Sequence, residues 1–132
     1  MRELSNELKE FITRHFHSVI RLEVLLLLSE DRDRIWTATA VDRKLNLTPP
    51  SAKAHLEELV AQGLMVLDAE KRYRYSPSSN KLDKTVGELA NAYAKQRVAV
   101  LTIVFANRAD KVRLFSEAFR LINGKTDRDG PD

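Results

Sequence analysis

The chain has 132 residues, a formal net charge of +3, 31% charged residues and no cysteine. That length sets the expectation of one domain with a core of its own, and the missing thiols exclude disulfides, thiolate metal sites and cysteine nucleophiles. No apolar run approaches the roughly 18 residues that cross a bilayer. The start, MRELSNELKEF, interleaves acidic, basic and apolar residues unlike a signal peptide, so a cytoplasmic protein without membrane partners is expected.

Leu4, Leu8, Phe11, Ile12 and Phe16 recur at helical spacing, with Ser5 as N-cap, and predict an N-terminal helix over 1–17. Ser18 restarts the chain. Val19, Leu22, Val24, Leu25, Leu26 and Leu28 are apolar nearly all round, as in a buried central helix. Ser29 to Arg34 reads as a solvated loop, and Ile35-Trp36 as a return to the apolar layer. Ala38, Val41 and Leu45 give one stripe of a short helix. Asn46-Leu47-Thr48 breaks it. Thr48 is then read as an N-cap, with Pro49 and Pro50 in the first turn of a second helix over about 49–62, where prolines are tolerated. Ala52, Leu56, Leu59 and Val60 form its buried face, and Gly63 stops it. Leu64 to Leu67, a charged tip and Tyr73-Arg74-Tyr75 then predict a hairpin over about 65–75.

The order LEVLLLL, LTPPSAKAHLEELVAQGLM, KRYRYS resembles the winged-helix transcriptional regulators of the MarR-like group, over roughly Ser18 to Pro77. The most specific piece is Leu56 through Gly63-Leu64-Met65. The resemblance implies a DNA-binding dimer whose second helix enters the major groove while the wing touches an adjacent groove. This chain departs from the family in the acidic pair Glu57-Glu58 on that helix, where basic residues are usual.

Ser76 to Asn80 is a turn cluster and the one internal boundary. Beyond it, Leu82, Val86, Leu89, Tyr93, Val100, Leu101 and Val104 keep helical phase, and the β-branched run from Val98 is read as its continuation. A second amphipathic stretch, Val112 to Ile122, ends at Gly124. The expected fold is thus α+β and mostly α: a winged helix-turn-helix over 18–77, with the helix over 1–17 and helices over 78–124 forming a dimer interface, and a disordered tail over 125–132.

Positive charge gathers on the wing and from Lys95 to Arg113, while the helix-turn-helix is near neutral. The expected function is transcriptional regulation through double-stranded DNA, as a homodimer. Ser51, Lys53, Ala54 and Glu57 are placed to face base edges. Thr48 and the backbone N–H groups near Pro49 and Ser51 are placed to hold a phosphate at the helix start. His55 is read as a packing or phosphate-contacting residue, and Lys71, Arg72 and Arg74 as the grip on the flanking backbone. The rival is a protein-interaction adaptor, whose acidic second helix docks a protein partner. Three histidines without ligand spacing, no Gly-rich phosphate loop and no nucleophile elbow lead us to expect no metal, no cofactor and no enzyme.

Overall fold

A computed structural model describes residues 4–106. The described chain is mostly helical, with one small antiparallel sheet. Its elements are α1 (Asn6–His15), α2 (Val19–Glu30), α3 (Ala38–Lys44), α4 (Ala52–Ala61), β1 (Met65–Leu67), β2 (Tyr73–Tyr75) and α5 (Asn80–Lys95). A further helical segment, α6, covers 97–106 up to the end of the described residues. The stretch Val112 to Ile122 and the tail lie outside them. Among the described residues, no helix is long and apolar enough to cross a membrane.

Four helices start on their own hydroxyls. The Oγ of Ser5 accepts from the Leu8 N–H, Ser18 from Arg21, Thr37 from Ala40 and Ser79 from Leu82. Each satisfies a donor that helix geometry leaves orphaned. The predicted starts at Ser5 and Ser18 are therefore in place.

α4 is different. It begins at Ala52, three residues after the predicted start, and its N-cap is Ser51, whose side chain does not cap it. Thr48 is not the N-cap. Consecutive prolines explain the shift, because each disfavours the helical conformation of the residue before it. The missing cap comes from α3. Asp42 is 2% exposed, and its Oδ1 accepts from the N–H of Ala52 at 2.8 Å and of Ser51 at 3.3 Å. At the other end, Gly63 adopts φ +80 as the predicted stop.

α2 is the central helix. Leu22, Val24, Leu25 and Leu28 are fully buried, and it packs on α4, α5 and β2. It runs on through Ser29 and Glu30, so the solvated loop is shorter than expected and begins at Asp31. Leu56 and Leu59 of α4 are likewise fully buried. At ~1.5–3 kcal/mol per buried large aliphatic side chain, these two helices anchor the core.

β1 and β2 pair with Met65 opposite Tyr75, Val66 opposite Arg74 and Leu67 opposite Tyr73. Trp36 adds a one-residue bridge on the far side of β2, exchanging both backbone bonds with Tyr73 at 2.8 and 2.6 Å. The terminal stripes join the same core. Leu8, Phe11, Ile12 and Phe16 cluster with Val86, Leu89, Tyr93, Val100 and Val104, and α1 packs on α5. The helical reading of Val98 to Val104 holds, but the helix is not continuous. It breaks at Gln96 (φ −136, ψ 52), just ahead of the stiff β-branched run, and restarts as α6.

Candidate nucleic-acid interface

The spacing of α4 separates two faces. Ala52, Leu56 and Leu59 point into the core, while Lys53, Ala54, Glu57 and Glu58 are exposed on the opposite side. Lys53, Ala54 and Glu57 therefore share one open surface, as their positions predict. Ser51 is half-buried at the helix start, and its hydroxyl donates to the Thr48 carbonyl. Thr48 itself is exposed.

The phosphate-holding role read for this helix start meets an obstacle. The N–H groups of Ser51 and Ala52 both point at the Asp42 carboxylate. An anion approaching them would displace one negative charge with another. The sequence gives no sign of this, because Asp42 sits beside Val41 in a helix whose apolar stripe skips it. Only the packing of α3 against α4 brings its carboxylate to the helix end.

His55 turns toward α2 rather than outward. The Arg21 Nε–H donates to its Nδ1 at 3.2 Å. Burial, reinforced by the Arg21 charge, lowers its pKa from the ordinary 6.5. Neutral His55 is thus an acceptor that orients Arg21. It belongs to the α2–α4 seam, in line with the packing alternative. His15 is a separate case, tilted against the Phe11 ring at 4.7 Å between centroids.

The three hairpin cations are not equivalent. Asp68 Oδ1 accepts from the N–H groups of Glu70 and Arg72, and its Oδ2 accepts from Arg72 Nε at 2.9 Å. The other side of the Arg72 guanidinium meets Glu70 Oε1 at 2.7 Å. Backbone donation from Arg72 leads the forces that hold the Asp68 carboxyl below its ordinary range. Arg72 therefore closes the hairpin turn, and its charge is answered within it. Lys71 is exposed at the tip with φ +63. Arg74 is exposed on β2 between the buried Tyr73 and Tyr75. Neither Lys71 nor Arg74 belongs to a salt bridge among the described residues.

Other basic residues sort in the same way. Arg32 pairs with Asp83 and lies over the Tyr75 ring, while Arg34 stacks on Trp36 with its guanidinium carbon 3.7 Å from the ring centroid. Arg43 and Lys44 are exposed in the last turn of α3. Sequence reasoning passed over these two, although they flank the turn into α4. Exposed on α3, α4 and the hairpin are thus Arg43, Lys44, Lys53, Lys71 and Arg74, with Glu57 and Glu58 exposed on α4, while Arg72 is paired with both Asp68 and Glu70. Comparison with protein-family models, with curated proteins and with solved structures finds no match for the chain.

Proposed function

We propose that this protein is a winged-helix DNA-binding regulator of transcription, with α4 as the helix that enters the major groove and the hairpin as the wing. The observation that carries this is the open face of α4. The helix is held from behind by Leu56 and Leu59 and presents Lys53, Ala54 and Glu57 outward. Ten residues give a rod about 15 Å long, of a thickness that a major groove about 12 Å wide admits. Lys71 and Arg74 on the hairpin and Arg43 and Lys44 on α3 are exposed and outside the salt bridges of the described residues, and so available to phosphates. Arg72 serves the hairpin turn, so the phosphate attraction rests on the other cations.

Salt titration of duplex binding tests the reading. Lys71→Ala with Arg74→Ala weakens binding to every duplex alike and lowers the salt slope by about one for each phosphate no longer neutralised. Arg72→Ala changes binding mainly through loss of the turn, with a smaller effect on slope. Lys53→Ala alters preference among sequences. Absence of any salt-dependent binding by the wild type refutes the proposal.

A second reading, a protein-docking adaptor, is favoured by one observation: the exposed Glu57-Glu58 pair at the middle of α4 repels a phosphate backbone. We further propose a homodimer. Phe11 is buried within the chain's own core, so the support now comes from α6, where Val98 is 77% and Phe105 51% exposed. Light scattering at the monomer mass at high concentration would refute the dimer.

A further inference from the structure

α2 and α4 meet along a seam that ends in a polar pair. Arg21, in the first turn of α2, shares one helical line with Leu25 and Leu28. Both leucines are fully buried, and α2 packs on α4. Arg21 carries that line to where the seam opens, and is itself half-buried. On α4, the next turn places the exposed Glu58 and the buried Leu59 beside His55. His55 therefore stands at the border between the core side of the helix and its open face. The Arg21 Nε–H reaches it there at 3.2 Å.

Arg21 is unlike the other anchored arginines. Arg32 and Arg72 are held by carboxylates, and Arg34 and Arg97 lie over the rings of Trp36 and Tyr93. Arg21 is held by a neutral imidazole, which fixes its direction and leaves its charge whole. Among the described residues no salt bridge involves it, and no further hydrogen bond occupies its terminal N–H groups. Glu58, on the same flank of α4, forms no bridge to it, and Glu23 of α2 accepts from the Tyr93 hydroxyl instead. A half-buried cation without a counter-charge is unfavourable. An anion arriving from outside would relieve it.

A helix about 10–12 Å across fills a major groove about 12 Å wide. Groups at the border of its open face then stand at the rim of the groove, where the phosphates run. We propose that Arg21 is a further phosphate contact of the DNA complex, made from α2 and not from the helix-turn-helix or the wing, and that His55 is the residue that positions it. The inference rests on the DNA reading and adds a contact to it. The planar guanidinium suits both tasks at once: Nε–H is spent on His55, and the terminal N–H groups are left for phosphate oxygens.

The test is a salt titration of duplex binding by the full chain and its variants, each checked for folding by circular dichroism. It is joined to a scan in which single phosphates of the duplex are replaced by uncharged methylphosphonates. Arg21→Gln should weaken binding to every duplex alike and lower the salt slope by about 0.9. One methylphosphonate should weaken the wild type and leave Arg21→Gln unaffected, which marks the phosphate that Arg21 meets. His55→Ala should lower the slope in the same way and add nothing to Arg21→Gln. His55→Asn, which returns an acceptor near the place of Nδ1, should restore it, as it would not if His55 served packing alone. Salt-dependent wild-type binding with an unchanged slope in Arg21→Gln overturns the inference and leaves the DNA reading standing. A changed preference among sequences in that variant overturns it too, since Arg21 would then meet a base. No salt-dependent binding by the wild type removes both. If Arg21→Gln does not fold, the His55 variants decide, and equal slopes for His55→Ala and His55→Asn overturn the proposal.

Discussion

Replacing Asp42 by alanine should destabilise the whole fold, although Asp42 lies outside every apolar stripe. The carboxylate is buried and accepts from two N–H groups at the start of α4, at 2.8 and 3.3 Å. Removing it leaves both donors without a partner in a site that water reaches poorly. A stranded buried donor costs about 1–3 kcal/mol, and loss of a helix N-cap about 1 kcal/mol. The Ser51 bond is long and contributes the smaller share, so the sum expected for Asp42→Ala is about 2–3 kcal/mol. For a chain of this size that lowers Tm by about 8–12 °C. Asp42→Asn keeps an acceptor oxygen and loses only its charge, so it should cost about 1 kcal/mol. Urea and thermal unfolding followed by circular dichroism measure both. An Asp42→Ala variant within about 0.5 kcal/mol of wild type, or an Asn variant worse than Ala, would refute the capping account.

Gly63→Ala should cost about 1–2 kcal/mol, because φ is +80 and an added Cβ would meet the Ser78 Oγ at 2.8 Å; an unchanged unfolding midpoint would contradict the turn geometry. Stability should also depend on His55. Its folded pKa lies below the ordinary 6.5, through burial first and Arg21 second, so the unfolded chain binds more protons in acid. The contribution is complete above about pH 6.5 and declines as pH falls from there through the folded value. His15 shifts the same way, again mainly through burial. Urea midpoints measured across that window should rise with pH, less steeply in His55→Gln, and a flat wild-type profile would exclude the effect.

Local chemistry made much of this molecule legible. Ser5 and Ser18 cap helices because a hydroxyl before an apolar stripe satisfies the orphaned N–H groups wherever the chain then goes. Gly63 stops α4 because few other residues take a positive φ without strain. The buried side of α4 follows from period alone, so the open placement of Lys53, Ala54 and Glu57 does too. What the sequence could not determine depends on atoms far apart in the chain. Thr48 carries the residue type of a cap, yet the cap of α4 is Asp42, because α3 packs so as to deliver a carboxylate to the helix end. Lys71, Arg72 and Arg74 are alike as letters. Only the closed turn shows that Arg72 bonds to Asp68 and Glu70 while Arg74 stands open between Ile35 and Val66. His55 reads equally as a packing or a phosphate-contacting residue until α2 brings Arg21 to its Nδ1. Periodicity assigns a residue to a face. Which partner meets it there, and so which charges stay free for a ligand, was decided by the packing of α2, α3 and the hairpin around α4.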